Sequence, residues 1–171
     1  MYVSSKTYNL KLENKMAKIN RNDIQRSEQF TQLVSKASEF NEHNDCTVKA
    51  TALVADITYA EAHALLKSLG RKDRQGCRMR TMLEDIGRSL SITFVELKKT
   101  SIIAKYPKGH CDVLKNLTTH HPARFNNVWK DGKSYLAFTR GHVAAIIDGK
   151  THDWTEGKAC RIISIFEVVK K

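Results

Sequence analysis

The pattern of this chain predicts an α+β fold, with N-terminal helices packed on a C-terminal antiparallel sheet. Three observations carry that expectation. Apolar residues recur at helical spacing between Asp23 and Leu90. From Ser134 onward, short apolar runs alternate with turn residues. Asp148-Gly149, between two such runs, is a strong hairpin signal. Helices first and antiparallel strands last is the α+β order.

The elements follow in turn. Residues 1–20 are polar and lysine-rich with no clean period, which predicts an irregular arm. Asp23 to Phe40 carries Ile24, Phe30, Leu33, Val34 and Ala37 on one helical face. Asn41-Glu42-His43-Asn44-Asp45 breaks that helix, since Asn and Asp favour turns and caps. A second helix starts at Cys46, with Asn44 or Asp45 as its N-cap. Thr58-Tyr59-Ala60-Glu61 spells a capping box, and Gly70 ends the helix it opens. The basic stretch 71–80 reads as a loop. Thr81-Met82-Leu83-Glu84 is a second capping box, opening a helix toward Leu90.

Ile92 to Leu97 and Ser101 to Lys105 read as short strands, and Asp112 to Thr119 as a short helix stopped by His120-His121-Pro122. Tyr135 to Phe138, His142 to Ile147, Thr151 to Trp154 and Ile162 to Val169 are the expected strands of the sheet. Arg140-Gly141 joins the first two and Asp148-Gly149 the next two.

Composition narrows the class. The 171 residues suit one domain with a modest additional segment, and the 41% hydrophobic content is ordinary for a globular protein. No apolar run approaches the ~20 residues a membrane span needs, and no secretory signal core opens the chain. A cytoplasmic protein is the expectation. The four cysteines, Cys46, Cys77, Cys111 and Cys160, form no CxxC pair. Neither a disulfide framework nor a structural zinc site is expected from such spacing, and no cofactor is implied. A weak metal reading remains, in which His110, Cys111, His120 and His121 converge. The formal charge of +11 peaks locally at Arg71, Lys72, Arg74, Arg78 and Arg80. That run is a candidate contact for nucleic acid or an acidic partner, although no aromatic residue is interleaved with it.

Cys46 carries the sharpest chemistry. The positive end of a helix dipole favours a thiolate, which is the nucleophilic form of the thiol. Unpaired N–H groups in the first turn can bind an oxyanion. A base is then required, and His142 has the best setting of the seven histidines. It opens an apolar strand directly after Gly141. If Asp148 and Gly149 are the central turn residues, Ala144 opposes Asp153. His142 and Asp153 are then diagonal neighbours on one face, where a carboxylate can orient the imidazole. His152 and Trp154 have the opposite parity and are expected to point away.

A cysteine heading a helix, then a strand histidine, then an aspartate resembles the papain-like order. The strings Asn44 to Ala50, Gly141 to Gly149 and His152-Asp153-Trp154 resemble small phage and bacterial papain-like cysteine peptidases. So does the segment Tyr59 to Gly70 with the Arg71-Lys72 that follows it. The resemblance covers roughly residues 40–169. It divides the chain into an N-terminal extension with one amphipathic helix, 1–40, and a papain-like domain, 41–171. It implies hydrolysis of a peptide, isopeptide or amide bond through a thioester, on a host or phage protein in the host cytoplasm. By that likeness Cys46 is the nucleophile, His142 the base and Asp153 the orienting residue. The family usually places a glutamine shortly before the cysteine as an oxyanion donor. No glutamine lies between Gln32 and Cys46, and Asn41 has the better spacing of two asparagine substitutes, Asn41 and Asn44. The alternative reading is a papain-like scaffold without activity that binds nucleic acid or an acidic host protein through its basic surface.

Overall fold

The computed structural model describes residues 26–98, 130–155 and 162–170. The expected strand at 101–105, the expected helix at 112–119 and the histidine–cysteine group at 110–121 lie outside the described residues. Helix α1 (Glu28–Glu39) starts where the Ser27 hydroxyl accepts the Phe30 amide at 3.2 Å. It buries Phe30 and Ala37. Helix α2 (Cys46–Ala55) is buried nearly all round, through Thr47, Val48, Ala50, Thr51, Ala52 and Val54. That burial marks it as the central helix.

Helix α3 (Tyr59–Ser68) opens with both halves of the Thr58–Glu61 capping box in place. It closes at Gly70, whose φ of 98° is ordinary only for glycine. The Arg71 amide then returns to the Leu66 carbonyl at 2.8 Å, the long bond of a Schellman turn.

Helix α4 (Met79–Leu90) corrects the second capping-box expectation. It begins two residues earlier than Thr81, its N-cap position is Arg78, and no side chain caps it. The Thr81 hydroxyl donates back to the Arg78 carbonyl at 2.8 Å. Burial of Met79, 2% exposed, favours the earlier start over the local cap.

The described strands are β1 (Ile92–Glu96), β2 (Ser134–Thr139), β3 (His142–Ile147), β4 (Lys150–His152) and β5 (Ile162–Lys170). They form one five-stranded sheet in the order β1-β5-β2-β3-β4, with every pairing antiparallel. The protein is α+β. Asp148 at φ 46° and Gly149 at φ 74° form the expected two-residue turn, and Ile147 pairs with Lys150. Strand β4 ends at His152, earlier than the expected Trp154.

Leu136, Phe138, Val143, Ala145, Phe166 and Val168 share one core with Val48, Ala52, Leu66, Met79 and Ile86 of the helices. Burial of each large side chain contributes about 2 kcal/mol. Tyr135, Ala137, Ala144, Ile146 and Ile165 alternate with the sheet members of that core and are also buried. Strands β2 and β3 therefore read as continuous apolar runs. No described helix is long and apolar enough to cross a membrane.

Gly87 shows how tightly α4 sits on β1. A Cβ at that position lies 2.7 Å from the Ile92 carbonyl oxygen, a backbone atom that cannot move aside cheaply. Gly87→Ala is expected to destabilise the fold by about 1–3 kcal/mol despite its better helix propensity. Urea unfolding of the variant checks this, and an unchanged or raised midpoint contradicts the packing.

Candidate active site

The turn that delivers Cys46 is built around a buried carboxylate. Glu42 is 5% exposed and accepts two hydrogen bonds from Arg71, at 3.0 and 2.8 Å. It also takes the Arg74 backbone amide at 3.0 Å and lies 2.9 Å from His63 Nε2. Burial alone pushes its pKa up, but the bonds from Arg71, Arg74 and His63 outweigh burial and hold it at about 2. Arg71 also reaches the Asn44 carbonyl at 3.4 Å, and the Asn44 amide donates to the Arg74 carbonyl at 3.2 Å. The loop after α3 is thereby stitched to the turn before α2.

Asp45 occupies the N-cap position of α2 but makes no side-chain cap bond. Its carboxylate instead accepts the Tyr59 hydroxyl at 2.8 Å and binds Lys49 at 2.8 Å. Cys46 follows as the first helical residue, half-buried and reduced. The first-turn N–H groups beside it are the ones a helix leaves unpaired.

The candidate base is His142. His142 Nε2 lies 2.7 Å from Asp153 Oδ2. Asp153 is 4% exposed, and its Oδ2 also accepts the Thr155 amide at 2.9 Å and the Thr155 hydroxyl. Burial of the His142 ring disfavours its charge. Hydrogen bonds with Asp153 and Cys46, and the field of both, more than offset burial and raise its pKa to about 9. Nε2 is committed to Asp153, so Nδ1 is the nitrogen left for the sulfur. Cys46, His142 and Asp153 thus form one electrostatic unit, and the His142–Asp153 contact within it is the one the hairpin register predicts.

The structure places the other candidates elsewhere. Asn41 stands exposed at the end of α1, with φ 52° and its backbone amide on the Ser38 carbonyl. No hydrogen bond among the described residues links it to Cys46 or His142. His152 points away from the site as expected: its Nδ1 is 2.8 Å from Ser27 Oγ, and burial and Lys150 lower its pKa. Trp154 corrects its expected direction. Strand parity lapses after His152, and the indole packs edge-on against the His142 ring, with centroids 5.4 Å apart.

The basic loop is also corrected. Arg71 is 2% exposed and bound to Glu42, so it offers nothing to a phosphate. Arg80 pairs with Glu96 at 2.8 Å. Lys72, Arg74 and Arg78 stay exposed. Glu42, His63 and Asp73 converge closely enough to suit a cation, but both Glu42 oxygens already hold Arg71. Nothing local in the sequence announced this Glu42–Arg71 pair, which spans 29 positions.

No protein-family model, curated protein or solved structure matches this chain. Its function therefore rests on the geometry of the site.

Two outcomes test that geometry. Arg71→Ala strands a buried carboxylate and is expected to cost about 3–5 kcal/mol, read by urea unfolding at neutral pH. For His142 the folded pKa exceeds the unfolded one. The bond to Asp153 therefore stabilises the fold fully below pH 6.5, and that contribution is lost as pH rises through about 9. Asp153→Asn is expected to bring the His142 NMR titration down toward 6.5. Its destabilisation should be larger at pH 7 than at pH 10. An unmoved titration contradicts the assignment.

Proposed function

We propose that this chain is a papain-like cysteine hydrolase that cleaves a peptide, isopeptide or amide bond, with a host or phage protein as substrate. One observation carries the proposal. A half-buried cysteine at a helix start shares a hydrogen-bonded charge network with an imidazole oriented by a buried aspartate.

The chemistry follows from the parts. With its pKa near 9, His142 is protonated at neutral pH, and its imidazolium stabilises the Cys46 thiolate. The thiolate attacks the carbonyl carbon and forms the S–C bond. The oxygen that gains the electron pair turns toward the first-turn N–H groups of α2. His142 gives its proton to the leaving nitrogen as the C–N bond breaks. The thioester remains, and the imidazole is now neutral. It takes a proton from an incoming water, whose oxygen attacks the thioester. The acid product leaves and thiolate and imidazolium are restored.

Asp153 keeps the ring in one orientation throughout, and Thr155 keeps Asp153 in place. Of the two asparagines, Asn44 is spent on the Arg74 carbonyl. Asn41 stands exposed at the end of α1 with no hydrogen bond to Cys46 or His142 among the described residues, so the first-turn N–H groups of α2 are the oxyanion donors in this reading.

Cys46 is expected to react with iodoacetamide at least about tenfold faster than a free thiol near neutral pH, and the advantage should vanish in His142→Ala. Digests of denatured protein should show new chain ends with the wild type and none with Cys46→Ala. Alkylation at the free-thiol rate, together with no new ends, overturns the proposal.

A further inference from the structure

A cleft of about 390 Å³ opens beside the catalytic group, lined by Arg26, Phe30, Thr31, Val34, Lys49 and Trp154. Its walls come from Arg26 and the first two turns of α1, the first turn of α2 and the segment after β4. Trp154 is shared: one side of it lines the cleft, and its ring packs on His142. Lys49 is on the helical turn that Cys46 begins. The cleft therefore adjoins the proposed site through Trp154, on the side of the imidazole. His142 must reach the leaving nitrogen to protonate it, so the chain beyond the scissile bond passes on that side.

The lining says what it accepts. Val34 is 41% exposed and Trp154 46%, large apolar areas left to solvent beside each other. Both ionic groups in the lining are cations, and no carboxylate is among the lining residues. Lys49 is neutralised by Asp45 at 2.8 Å and rests over the Phe30 ring, 5.8 Å from its centroid. Arg26 is exposed and makes no ion pair among the described residues. The Thr31 hydroxyl already donates to the Ser27 carbonyl. One exposed guanidinium in the lining of an apolar cleft selects a carboxylate next to a large apolar side chain.

We infer that this cleft receives the leaving-group side of the substrate and prefers an extended segment with an aspartate or glutamate beside a large apolar residue. The inference rests on the cysteine-hydrolase reading for its orientation, but its binding chemistry can be read without turnover.

The test uses the full chain carrying Cys46→Ala and two fluorescein-labelled degenerate peptide pools. One pool fixes Asp next to Leu and the other fixes Lys next to Leu. Polarisation at fixed ionic strength is expected to show about tenfold tighter binding of the acidic pool. Arg26→Glu should remove or invert that preference, and Val34→Asp should weaken binding of both pools. Quenching of tryptophan fluorescence on binding should be lost in Trp154→Phe. Equal affinity for the two pools, or a preference that survives Arg26→Glu, overturns the inference. Cleavage of both pools by the wild type with no charge preference also overturns it while leaving the hydrolase reading intact. Charge-selective binding without cleavage supports the cleft and removes the hydrolase reading.

Discussion

A carboxylate taken out of water stays ionised only where its neighbours compensate the charge, because a bare charge in a protein interior is far too costly. Glu42 meets that demand with an arginine fork, a backbone amide and an imidazole. The consequence reaches well past the ion pair. The Glu42 amide ends α1 on the Ala37 carbonyl, and the Arg71 amide ends α3 on the Leu66 carbonyl. Joining their side chains fixes the end of one helix to the end of another. The short turn between them and Cys46 has little freedom left. A nucleophile has to be held to within about half an ångström of its productive position, and rigid surroundings are the means. The buried pair is thus a positioning device for the thiol.

The His142 imidazole depends on a different constraint, the two-residue turn at Asp148-Gly149. With both residues at positive φ, the turn admits one register, and β3 and β4 pair without slippage. That register brings Asp153 to His142 from the first position past β4. The chain then bends, and Thr155 folds its amide and hydroxyl back onto the same oxygen. One aspartate oxygen therefore holds both the imidazole and its own loop. The same bend turns Trp154 against the imidazole. A half-exposed indole there shields one edge of the ring from water, which strengthens the bond to Asp153 by lowering the local dielectric.

Charge on this protein divides by location. Arg71 serves the interior, Arg80 is matched by a surface glutamate, and Arg26 stands open at a cleft. The basic residues of this sequence thus have separate tasks. The net charge is no guide to which of them meets a partner.

Much of the scaffold was readable from the chain alone. The Thr58–Glu61 box, Gly70 at the end of α3, the helix beginning at Cys46 and the Asp148-Gly149 hairpin are local events, decided by the dihedral and capping preferences of adjacent residues. The pairing of His142 with Asp153 was also legible, since it follows from counting outward from the turn. Other features had no local signature. The Ser27–His152 contact joins residues 125 positions apart, and Glu42–Arg71 joins residues 29 apart. The start of α4 went to buried Met79 over the nearer capping box, and Trp154 left its expected face once β4 ended. The sequence by itself determined the described element types, the turn register and the pairing of His142 with Asp153, because these depend on residues close in the chain. Only the tertiary structure decided which charged groups are buried braces and which line a cleft, because burial depends on neighbours that folding supplies from far along the chain.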